Sequence, residues 1–125
     1  MTVSGCRYLA HRVGGDESTT GVAEVIVRQG GCDDIPLPPR LDLFNHSPDG
    51  FNWGYGGSGP AQLALAILAH ALGSTHLGDQ VAIALHQRFK KEIIAPIHAS
   101  SSWSMGRRFV VDWVEHARRG DICAE

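Results

Sequence analysis

The feature that most constrains this chain is the run from Trp53 to Leu72. Trp53-Gly54-Tyr55-Gly56-Gly57-Ser58-Gly59 leads into Pro60-Ala61-Gln62-Leu63-Ala64-Leu65-Ala66-Ile67-Leu68-Ala69-His70-Ala71-Leu72. The second segment has helical composition and is apolar nearly all round. A helix of that kind is covered on every side, so the rest of the fold has to enclose it. Pro60 suits the first helical position, where a missing donor costs nothing. Ser58 is placed to cap the helix, and Gly73 to end it in the left-handed conformation. The glycines before it are read as a backbone-shaped loop that launches a buried helix.

The flanking segments follow from their periods. Arg7–Arg12 and Val22–Arg28 have strand character and are expected to pair antiparallel. Gly14 to Ser18 and Gly30 to Asp34 are turns. Pro36-Leu37-Pro38-Pro39 lacks donors and reads as an extended connector or edge. Leu41 and Leu43 alternate with Asp42, the aromatics at 51, 53 and 55 alternate likewise, and Asn45 to Gly50 is turn-like. A hairpin is therefore expected from Leu41 to Tyr55. Helices are expected over about 60–72, over 79–95 with Asp79 as cap, and over 104–118. Ser102 or Ser104 would open the third and Gly120 would end it. Its Phe109, Val110, Trp113, Val114 and Ala117 form an apolar stripe. With strands mainly over 7–55 and helices after them, the chain reads as one α+β domain over residues 1–125. A small antiparallel sheet packs against about three α-helices.

The length of 125 residues suits a single domain. The net charge of −2 supplies no global field for nucleic acid or anionic lipid. No apolar run reaches the roughly 20 residues that a membrane span needs. The first ten residues carry no signal-peptide pattern. Cys6, Cys32 and Cys123 are odd in number and contain no CxxC pair, which argues against a disulfide or zinc scaffold. A soluble cytoplasmic protein of a bacterial cell is the expectation.

The candidate ligand-binding residues are Trp53, Tyr55, Gly57, Ser58, Gly59, His46, Arg107 and Arg108. A glycine loop at a helix start lets an anion approach free N–H groups, and Trp53 and Tyr55 could stack on a base. The competing explanation is that only glycine fits where the chain enters a crowded core. No Lys follows Gly59, so a Walker loop is absent. No parallel βαβ unit supports a dinucleotide fingerprint. Around Ser58 the serine-elbow pattern has Pro60 in place of its last glycine. No catalytic residue is assigned. The seven histidines show no metal-ligand spacing, so no metal and no cofactor are expected. His46 is singled out because it lies close to the loop in sequence. Arg107 and Arg108 stand where cations oppose a helix dipole, which hints at an anionic partner. The competing explanation, and the one favoured, is a solvated helix face.

Leu41-Asp42-Leu43, Asn45-His46-Ser47-Pro48, Gly50-Phe51, Trp53-Gly54-Tyr55 and Gly57 to Leu68 resemble a small bacterial and phage family, domain of unknown function 6166. Phe89-Lys90, Ile93, Trp103 and Trp113 resemble its helical tail. The resemblance spans roughly Ile35 to Glu115 and implies no activity. It implies a setting of bacteria, prophages and phages. There, small non-enzymatic proteins sequester nucleotide signals or inhibit host defence proteins. The leading expectation is a counter-defence binding protein that sequesters a nucleotide-like, phosphate-bearing ligand. The alternatives are a protein–protein inhibitor of the anti-CRISPR kind and a small hydrolase or transferase. A homo-oligomer is expected, because so apolar a helix in so small a chain often buries surface between subunits.

Overall fold

The computed structural model describes residues 5–14, 22–48 and 50–123, and for 120–123 the backbone alone. Two eight-residue strands, β1 (Cys6–Val13) and β2 (Val22–Gln29), form an antiparallel pair from Cys6↔Gln29 to Val13↔Val22. The two strands expected from composition are thus present and paired as expected. Cys6, Tyr8 and Ala10 alternate inward on β1, as Val25 and Val27 do on β2. Period-two alternation is what one buried sheet face requires. Beyond Gly14, the expected first turn lies outside the described residues. The proline-rich connector contributes a two-residue edge strand, β3 (Ile35–Pro36), against β2.

The helical layer begins with α1 (Ser58–Ala71), from which α2 (His76–Phe89) turns back. A π-helical segment, Lys90–Ile94, continues α2. A fourth strand, β4 (Trp103–Gly106), then pairs antiparallel with β1 before α3 (Arg107–Cys123). The sheet order is β3-β2-β1-β4, so β3 and β4 are its edges. The fold is α+β, with the helices packed on one face of an antiparallel sheet. Gly59 to Ala69 and Ala71 are all buried in α1. That burial is complete within one chain, so the apolarity of α1 does not call for a second copy.

Gly73, at φ +89, ends α1. The N–H of Gly73 bonds to His70 O, and that of Ser74 bonds to Ala69 O, both at 3.0 Å. This crossed pair is a Schellman motif, which satisfies carbonyls that the helix end leaves open.

Several local expectations are corrected. The hairpin over Leu41 to Tyr55 does not form: 41–43 is a turn, and 51–53 has no regular structure. Arg40 sits at φ 57, and the N–H of Leu43 turns back to Arg40 O. The backbone of this segment finds its partners in a helix side chain, described below, instead of a neighbouring strand. α1 begins two residues before Pro60, with Gly57 as N-cap and no side-chain cap bond. Ser58 is therefore a helical residue and not the cap, while Pro60 still falls among the first four residues, whose N–H groups have no intrahelical partner.

α2 starts at His76, not Asp79. Thr75 caps it by accepting from the N–H of Gly78, and Asp79 instead pairs with Arg40 at 2.9 Å. The third helix starts at Arg107, because Trp103–Gly106 completes the sheet. Its backbone runs through Gly120 to Cys123. Val110, Val114 and Ala117 of its stripe are buried, whereas Phe109 is 48% exposed.

Candidate functional site

The glycine loop is built by packing. Trp53 is fully buried, meets Trp103 edge-on at 5.5 Å and donates its indole N–H to Ser101 O. The Arg12 guanidinium lies 4.3 Å from the Trp53 ring centroid and also donates to Ala99 O and Asn52 Oδ1. Trp53 is thus a core residue and offers no face for stacking on a ligand. Gly54 has φ +90, and a Cβ there would lie 2.6 Å from Ala99 Cα. A Cβ on Gly59 would lie 2.7 Å from Asn52 Cβ, and one on Gly57 would run into the Tyr55 ring. Tyr55 itself is half exposed and lies over Gly57. Ser58 is exposed, and no hydrogen bond to another side chain is found for it among the described residues. No base is set against it.

His46 belongs to a different cluster. Gln62 is the one polar side chain on the buried surface of α1, and it makes four hydrogen bonds. Its Oε1 accepts from the N–H groups of His46 (2.8 Å) and Ser47 (3.1 Å). Its Nε2 donates to Pro39 O and Phe44 O. This side chain holds the 39–47 segment where a hairpin had been expected. The His46 ring stacks on Phe44 at 4.2 Å, and its Nε2 lies 2.8 Å from Nε2 of His86. His86 Nδ1 donates to Ile83 O, which leaves its Nε2 as the acceptor for His46. Burial, then the neighbouring His86 and Lys90, push the His46 pKa below the ordinary histidine value. Among the described residues, no group of three or more His, Cys, Asp or Glu could hold a metal ion.

Arg107 and Arg108 leave the β4–α3 corner in different directions. Arg107 Nε donates to Ala71 O at 2.7 Å. The cation sits at the carbonyl end of α1, where the dipole favours it, which offsets its poor position at the start of α3. Arg108 pairs loosely with Asp112 at 3.5 Å, and both side chains are largely exposed. Surface pairs of this kind contribute little.

A groove with room for a ligand lies along β4, away from the glycine loop. It has about 530 Å³ and is lined by the apolar Ile93, Ile97, Trp103, Met105 and Phe109 and by the charged Arg7 and Arg108. Trp103 and Met105 belong to one face of β4, while Ser104 and Gly106, which also line it, belong to the other. Lining from both faces places the groove on the strand's open edge. Arg7 bonds to Ser104 Oγ at 3.0 Å and has no acidic partner among the described residues. The Trp103 indole N–H is buried and has no acceptor among them, an unspent donor in the groove wall. The π-helical segment supplies Ile93; such segments recur at functional sites. Composition did not single out Arg7, Ile93, Ile97 or Phe109 as site residues. The one available signal was Trp103 next to Ser104 and Met105, a short alternation ahead of two arginines.

None of the eight sequence candidates except Arg108 lines this groove. The arrangement offers an apolar floor, an exposed aromatic ring and two guanidinium groups.

The model of a family of unknown function (DUF6166) matches residues 11–116, and the chain belongs to that family. No curated protein and no solved structure matches it.

Proposed function

We propose that this chain is a non-enzymatic binding protein that sequesters a phosphate-bearing, nucleotide-like ligand in the groove along β4, in a counter-defence role of the phage or mobile-element kind. The observation that carries the reading is the combination of an apolar groove of about 530 Å³ with Arg7 and Arg108 in its lining. The volume falls in the range of small-ligand pockets. A planar base would lie against Phe109 and the Ile93–Ile97 wall. The phosphate would bridge the two guanidinium groups, whose planar forks match its oxygens. The role in counter-defence rests on the family resemblance alone.

The test is a calorimetric and tryptophan-fluorescence titration with cyclic nucleotides and ADP-ribose. Saturable binding that weakens about tenfold or more in Arg7→Ala and Arg108→Ala supports the reading, since each charge-assisted contact contributes roughly 1.5–3 kcal/mol. No heat with any of these ligands, or binding indifferent to both substitutions, removes it. A second reading, a protein–protein inhibitor, is favoured by the open edge of β4, along which an extended partner segment would add as a strand. Stable co-purification with a host defence protein, lost on replacing Met105 by proline, would select that reading.

A further inference from the structure

A second pocket lies across the β4–α3 corner from the groove. It has about 240 Å³ and is lined by Cys6, Gln29, His70, Gly73, Ser74 and Arg107. None of these six residues is acidic. The Arg107 guanidinium spends Nε on Ala71 O, and its two terminal nitrogens have no partner among the described residues. One positive charge therefore lines a small polar pocket without an acidic counter-ion among the described residues.

The neighbouring groups are donors. Tyr8 is fully buried, and its hydroxyl lies 2.8 Å from His70 Nδ1. The Cys6 thiol also faces this hydroxyl, but sulfur is the weaker acceptor, so the hydroxyl donates to Nδ1. The remaining ring hydrogen of neutral His70 then sits on Nε2, which has no partner among the described residues. Burial, then Arg107, holds the His70 pKa below the ordinary value, in keeping with the neutral ring. Ser74 and Gln29 add a hydroxyl and an amide that have no hydrogen-bond partner among the described residues. Burial raises the Cys6 pKa, so its thiol stays protonated.

The local field does not oppose an anion. The carbonyl end of α1 is its negative pole, roughly half a charge. That end is largely satisfied: Gly73 and Ser74 close the Schellman bonds, and Arg107 takes Ala71 O. The positive pole of α3, where Arg107 itself sits, contributes about half a charge of the other sign. A full guanidinium charge remains in excess.

We infer that this pocket is a small-oxyanion site, in which Arg107, the Nε2–H of His70 and the Ser74 hydroxyl hold an inorganic phosphate or a compact carboxylate. The volume admits such an ion with a few waters. The site is independent of the groove, because its residues and those of the groove do not overlap.

The test is a titration of the full chain with inorganic phosphate, followed by the His70 imidazole and Arg107 Nε–H resonances. The expected result is a saturable shift at His70, Ser74 and Arg107 that disappears in Arg107→Gln and weakens several-fold in His70→Gln. Arg107→Gln keeps a donor for Ala71 O, so the variant is expected to fold. The unchanged thermal midpoint of a folded variant is checked alongside. Arg108→Ala, which alters only the groove, leaves the shift intact. No saturable shift at His70 overturns the inference, and so does a shift that persists in Arg107→Gln. Failure of nucleotide binding in the groove would leave this result untouched.

Discussion

At the scale of single residues, each glycine of the loop has its own steric account, and the accounts differ. Gly54 combines φ +90 with a Cβ position 2.6 Å from Ala99 Cα, whereas nothing lies within 4 Å of a Cβ on Gly56. Gly54→Ala is expected to cost about 2–5 kcal/mol, from strain and overpacking together. Gly56→Ala is expected to stay within about 0.5 kcal/mol of the parent protein. Urea denaturation of the two variants measures both, and equal costs would refute the steric reading. Gln62 is the other decisive residue. Replacing it by leucine strands two N–H groups and two carbonyls, and is expected to cost on the order of 3–5 kcal/mol in the same assay. Gln62 was visible in the sequence only as a polar interruption in an apolar helix. Its four partners come from positions 39 to 47, and no local pattern announces such a long-range match.

The histidines give the fold its pH dependence. His46 and His70 both have folded pKa values below 6.5, each chiefly through burial. The unfolded chain therefore takes up protons first as pH falls. Stability is full above about pH 6.5 and declines as pH drops from there through the depressed folded values. Thermal melts at descending pH are expected to show this decline, and His70→Gln is expected to flatten it. Rising stability on acidification would contradict the burial of neutral imidazoles.

At the scale of elements, the ends of helices separate what was legible from what was not. Gly73 was read correctly from sequence, because a glycine after an apolar run has few other roles. Ser58 and Asp79 were chosen as caps by residue type, yet Gly57 and Thr75 hold those positions. Residue type alone does not choose between neighbours when tertiary contacts claim a side chain, as Arg40 claims Asp79. Thr75→Ala is expected to lower stability by about 1 kcal/mol, while Ser58→Ala leaves it nearly unchanged. Chemical denaturation distinguishes them, and a larger loss in Ser58→Ala would restore Ser58 as the cap.

The first two strands were legible from their β-branched residues and alternation. The fourth was not: Trp103–Gly106 is four residues long, and its pairing with β1 spans almost the whole chain. The same alternation rule that revealed β1 and β2 also suggested a hairpin at 41–55, where Gln62 and Arg40 supply different partners. Since β4 forms the groove, the element hardest to read from sequence is the one that creates the site.

At the scale of the whole molecule, the sheet and α1 divide the labour. α1 is a buried spine, sealed by the glycine loop on one end and by the Schellman turn on the other. The groove lies at the far edge of the sheet, where β4 and α3 meet. Arg108 faces the groove there, and Arg107 faces the smaller pocket. Arg107 and Arg108 were picked out from sequence by their unfavourable place on a helix, and the structure accounts for each by a different neighbour. Of the loop residues, Trp53 was picked out for stacking on a base and is buried in the core. Gly57 and Gly59 were picked out as a phosphate cradle and pack against Tyr55 and Asn52. A net charge of −2 does not prevent local recognition of anions, because the three arginines of this corner act over distances shorter than the screening length.

The proposed function puts ligand recognition at the β4 edge and not at the glycine loop. Amide chemical-shift mapping during titration with a nucleotide ligand tests it most directly. The perturbations are expected to cluster at Arg7, Ile93, Trp103 to Gly106, Arg108 and Phe109, with residues 54–59 unmoved. Perturbations centred on Gly54 to Gly59 would contradict it.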